Sequence, residues 1–60
     1  MKKLTFKVVE DGEFYDLEII TDRTPQWTID QYSRHRYCTM ELVNDEPTNE
    51  TESTFKKISL

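Results

Sequence analysis

Glycine is almost missing from this sequence: Gly12 is the only one among 60 residues. A phosphate-cradling loop needs several glycines to let the backbone approach its ligand, so that class of site is excluded. A single cysteine, Cys38, excludes an internal disulfide and a cysteine-rich metal cluster. His35 is the only histidine, and no cysteine or second histidine stands at ligand spacing from it. Long apolar runs are missing too. Met1-Lys2-Lys3-Leu4 opens like a signal peptide, but Thr5 and Lys7 interrupt it before the apolar stretch of about seven residues that a leader needs. Nothing approaches the length that spans a bilayer. The chain therefore reads as cytoplasmic, with Cys38 a reduced thiol and the Asn49-Glu50-Thr51 sequon unmodified.

Positive charge is scarce as well. Eight Lys and Arg stand against twelve Asp and Glu, for a net charge of -4. That balance argues against direct nucleic-acid binding, which needs a surplus of cations along the phosphate backbone. It suits contact with a basic surface, including one that itself binds nucleic acid. At 35% hydrophobic and 33% charged, the chain has apolar residues enough for one thin core and no second domain.

What is present is well patterned. Leu4, Phe6 and Val8 alternate with polar neighbours, as do Tyr15, Leu17 and Ile19, which is the period of half-buried strands. Asp11-Gly12 between them supplies the two positive-φ positions of a tight hairpin. A two-residue loop fixes the register: Leu4 opposite Ile19, Phe6 opposite Leu17, Val8 opposite Tyr15, and Lys7 opposite Asp16 on the other face. The hairpin fills residues 1–20. Thr24-Pro25 is an N-cap followed by proline at the first helical position, which predicts a helix over residues 25–36. Arg34, His35 and Arg36 then fall in its last turn, against the negative end of the dipole.

Alternation returns over residues 37–43, with Cys38, Met40 and Leu42 on one side, and predicts a third strand. Residues 44–54 are polar and acidic, and read either as a solvated tail or as a turn. A turn would lead to a final strand over residues 55–60 through Phe55, Ile58 and Leu60. The fold class is α+β: a small antiparallel sheet with one helix packed across it, ββαβ or, with the last strand, ββαββ.

On the helix, Pro25, Ile29, Tyr32 and Arg36 share the stripe that faces the sheet. Trp27 sits off that stripe, and its helical neighbours Asp30, Gln31 and Arg34 are all polar. Two placements are open to it: folded back onto the hairpin or tail, or exposed as the anchor of a protein contact. The exposed placement makes Trp27, Asp30, Gln31 and Arg34 the candidate partner-binding residues. No catalytic group emerges. Cys38 alternates towards the core, and the Glu10-Asp11 and Asp45-Glu46 pairs flank turns rather than facing each other across a cleft. The expectation is a binding protein, without metal or cofactor.

Gln26-Trp27 followed after a three-residue gap by Gln31-Tyr32, behind an N-terminal strand pair, resembles the Dmd antitoxins of T-even-type bacteriophages. The likeness spans about half the chain, from Phe6 to Arg36, and no counterpart is evident for the acidic residues 44–54. The resemblance implies inhibition of RnlA and LsoA, host endoribonuclease toxins, by direct protein–protein binding in the host cytoplasm. It also implies that Trp27 is a toxin-contacting residue. Two other readings stay open: an inhibitor that imitates nucleic acid through its acidic charge, and a small structural or oligomerisation module pairing through a sheet edge.

Overall fold

The computed structural model describes residues 1–58 and contains one four-stranded antiparallel sheet with one helix packed across it. Along the chain come β1 (Lys2–Glu10), β2 (Glu13–Thr21), α1 (Pro25–Ser33), β3 (Cys38–Pro47) and β4 (Lys56–Ile58). In space the strands lie in the order β3-β1-β2-β4. The β1–β2 register is the expected one, with Phe6 opposite Leu17 and Lys7 opposite Asp16. Its cause is the turn: Asp11 and Gly12 have φ of 54° and 80°, the mirror-image turn whose twist matches that of the strands.

Alternation sends Leu4, Phe6, Val8, Leu17 and Ile19 to the helix side, where all are buried together with Tyr32 of α1. Tyr15, Ile29, Cys38, Met40 and Phe55 pack around this cluster, half-buried. Phe55 meets Tyr32 with ring centroids 4.9 Å apart, so the C-terminal segment closes one side of the core.

The helix begins as expected and ends early. Thr24 Oγ1 accepts a hydrogen bond from the Trp27 N–H at 3.1 Å, and Pro25 occupies the first turn. The expected extent of 25–36 is corrected at its end: α1 stops at Ser33, with Arg34 as its C-cap. The Arg36 N–H donates to the Ser33 carbonyl in a turn, and the Arg36 side chain is drawn to Glu10 of the hairpin. Arg34, His35 and Arg36 therefore do not form a basic last helical turn. The buried face also differs. Thr28, with no exposed surface, joins Tyr32 in it, and Arg36 leaves it. The Thr28 hydroxyl donates to the Thr24 carbonyl at 2.9 Å, which removes the cost of burying it.

The third strand runs beyond residue 43, through the first four residues of the expected acidic loop, to Pro47. A bulge carries it there: Phe6 pairs with Leu42 but Thr5 with Asn44, leaving Val43 as the extra residue. The rest of this segment is tied down rather than trailing. Lys3 Nζ lies 3.2 Å from Glu50 Oε2, and the Thr48 N–H donates to the Met1 carbonyl. Ser53 bonds both backbone groups of Ile20, at 3.0 and 2.9 Å, before β4 pairs with β2. The fourth strand begins one residue later than expected and is described over Lys56–Ile58; residues 59 and 60 of the expected span lie outside the described residues.

Candidate functional site

The sequence leaves Trp27 two positions, and the fold gives it an exposed one. It stands in the first turn of α1, 39% exposed, on the side away from Thr28 and Tyr32. Its backbone is fixed by the Thr24 cap, so the ring projects from the best-anchored part of the helix. The Arg23 guanidinium carbon lies 4.9 Å from the ring centroid, a cation–π contact that orients both groups.

The other candidate residues are exposed on the same short helix. Asp30 Oδ1 accepts from Gln26 Nε2 at 3.1 Å, Gln31 is exposed, and Arg34 caps the C-terminus. Arg23 is thus the polar group against the Trp27 ring, and Asp30, Gln31 and Arg34 are exposed on the same helix. Sequence reasoning missed Arg23, and named Gln26 only as part of the Gln26-Trp27 motif and not among the partner-binding residues. Arg23 lies outside the helix, so a wheel drawn from Pro25 onward never meets it. Its spacing of four residues before Trp27 was the available signal.

A second polar cluster joins helix and hairpin. Tyr15 donates to Glu10 Oε1 at 2.8 Å, and its oxygen accepts from the Tyr32 hydroxyl at 2.6 Å. Arg36 Nη1 donates to both Glu10 oxygens at 3.2 Å, while its guanidinium lies 4.4 Å from the Tyr32 ring centroid. The hydrogen bond from Tyr15 holds the Glu10 carboxyl below its usual range, against an opposing desolvation and helped by Arg36. Burial, then the bonds to Tyr32 and Glu10, push the Tyr15 phenol far above its ordinary range. Every member has a partner within the cluster, so it reads as a clamp between α1 and the hairpin.

Burial also pushes the Cys38 thiol up, which favours the unreactive protonated form. Among the described residues no three His, Cys, Asp or Glu side chains gather where they would hold a metal ion. No helix among them is long and apolar enough to cross a membrane.

The face of the sheet away from the helix carries a shallow groove of about 540 Å³ at the hairpin end. Val9, Phe14, Thr39 and Glu41 contribute to its lining, and Phe14 is 81% exposed. Phe14 was passed over in the sequence because it sits on the polar side of the alternation. No protein-family model, curated protein or solved structure matches this chain.

Proposed function

We propose that this chain is an antitoxin that binds and inhibits a host endoribonuclease toxin of the RnlA or LsoA kind by direct protein–protein contact. The observation that carries the reading is Trp27, held by its cap on an exposed helix face with Arg23 against its ring. A large aromatic beside an arginine, with polar groups exposed on the same helix, has the composition of an interface anchor. In this reading Trp27 enters a pocket of the toxin, and Asp30, Gln31 and Arg34 form the polar rim around it.

Charge supplies the second half of the argument. An RNase offers its substrate a basic groove, and this chain has a net charge of -4. Between Tyr37 and Phe55 it carries Glu41, Asp45, Glu46, Glu50 and Glu52 and no Lys or Arg. The protein acts in this reading as a plug in the host bacterial cytoplasm, without turnover and without a cofactor. The same acidic stretch favours, as a second reading, an inhibitor that imitates nucleic acid before some other basic enzyme.

The test is RNA cleavage by a purified RnlA-type toxin with rising amounts of this chain. Stoichiometric inhibition is expected, with an association rate that falls as salt rises, because screening reaches about 8 Å at physiological ionic strength. Undiminished cleavage at excess chain refutes the antitoxin reading. An inhibitory association rate indifferent to salt removes electrostatic steering from it.

A further inference from the structure

We propose that the first half of the free β3 edge, Cys38 to Leu42, is a docking site for an extended partner-protein strand that carries Lys or Arg at alternate positions. The inference goes beyond the Trp27 contact and does not depend on it.

The open hydrogen-bonding groups follow from the hairpin. A two-residue loop makes Glu10 and Glu13 the closing hydrogen-bonded pair. Even-numbered residues of β1 therefore bond to β2, and odd-numbered residues such as Lys7 and Val9 bond to β3. Their partners Glu41 and Thr39 spend their backbone groups on β1. Cys38, Met40 and Leu42 are left with amide and carbonyl groups directed away from the sheet.

Exposed edges are ordinarily blunted by brevity, proline, bulges or charge, because an open ladder recruits other strands. Here the protection is uneven. Among the described residues the β4 edge spans three residues and holds Lys56 and Lys57. On β3 the bulge at Val43, then Asp45, Glu46 and Pro47, protect the second half. From Cys38 to Leu42 there is no proline and no bulge, and Glu41 is the one charge. Leu42, 36% exposed, offers an apolar contact at the end of this open stretch.

The chemistry of the occupant can be read from the strand already on the other side. Glu41, Asp45 and Glu46 are the only charged residues of β3, and β1 sets Lys7 opposite Glu41 and Lys3 opposite Glu46. A second copy of β3 would bring no cation to Glu41 in any register, because β3 carries no Lys or Arg. A strand alternating cations with apolar residues matches Glu41 on one face and Met40 and Leu42 on the other. The groove beside Thr39 and Glu41 leaves the outer face of β3 open to the side chains of such a strand.

The probe is a capped peptide of alternating lysine and valine, titrated into the intact chain and followed by amide chemical shifts and fluorescence anisotropy. The expected result is saturable binding, with the largest shifts at the Cys38, Met40 and Leu42 amides. N-methylation of one alternating set of peptide amides should abolish binding, and of the other set leave it. Exchanging peptide lysines for glutamates should also abolish it, and Glu41→Gln, an exposed change, should weaken it about twofold to fivefold. Absence of binding at millimolar peptide overturns the proposal. So does equal binding by both N-methylated forms, or shifts confined to α1 or β4. A dimer in sedimentation with those three amides protected also overturns it, by giving the edge to a second copy. The Trp27→Ala variant should bind the probe unchanged, so a failure of toxin inhibition and a failure of the edge are told apart.

Discussion

Replacing Trp27 by alanine tests whether this ring serves the fold or a partner. At 39% exposure, about three-fifths of a side chain of about 250 Å² is covered, or about 150 Å². Alanine keeps part of that cover, so about 100 Å² of buried apolar surface is lost, worth about 2.5 kcal/mol as an upper bound. Compactness of the unfolded chain trims the loss to about 2 kcal/mol. The Arg23 contact adds about 0.5 kcal/mol, and the better helix propensity of alanine returns about as much. The net cost is about 2 kcal/mol, against about 3–9 kcal/mol for a domain of this length. The variant should stay folded, with a lowered urea midpoint by far-ultraviolet circular dichroism. Calorimetric titration into an RnlA-type toxin should show about 2 kcal/mol or more of lost affinity, the threshold for an interface anchor. Trp27 is the only tryptophan, so the emission of the parent protein should shift on binding. A variant that unfolds outright, as for a core aromatic worth about 3–5 kcal/mol, refutes the reasoning. So does a folded variant that binds as well as the parent.

Three other changes probe the scaffold. Phe6→Ala empties a site with no exposed surface and should cost about 3–5 kcal/mol, leaving little or no folded protein in a thermal melt. Thr24→Ala removes the hydroxyl that accepts from the Trp27 N–H and should cost about 1 kcal/mol, seen as a lower urea midpoint. Glu10→Gln tests the clamp through pH. The Glu10 carboxyl is depressed in the fold, so its stabilisation is complete above the ordinary carboxylate range and is lost as pH falls through the depressed value. Urea midpoints of parent and variant should therefore differ at neutral pH and converge in acid; a constant gap would contradict the clamp.

The hairpin was legible because three signals agreed on one register: the Asp11-Gly12 turn, the apolar alternation and the Lys7–Asp16 match. The helix start was equally legible, since Thr24 and Pro25 each act within one turn of their own position. Its end was not. Arg34, His35 and Arg36 suit a helix terminus by propensity, and only the distant Glu10 explains why Arg36 leaves it. Thr28 was hidden because a hydroxyl is buried cheaply only when a carbonyl waits for it, and that carbonyl belongs to the capping residue. The extension of β3 was concealed by Val43, which breaks the alternation at the point where a strand is normally judged to stop. For the candidate site, periodicity separated Trp27 from the buried stripe, whereas Arg23 required the path of the chain before the helix.

Among the described residues the two rims of the sheet are unequal, five open residues on β3 and three residues on β4, and this sets a ceiling on self-association. Fibrous growth by strand addition needs a donor rim and an acceptor rim on every molecule, so that each arrival presents a fresh template. The three described residues of the short rim offer little ladder to hold a newcomer. Two molecules meeting through their long rims would be related by a two-fold axis and would use up both templates at once. Strand pairing in this fold therefore terminates at a pair. A small acidic domain can keep an open rim for other proteins without becoming the seed of a filament.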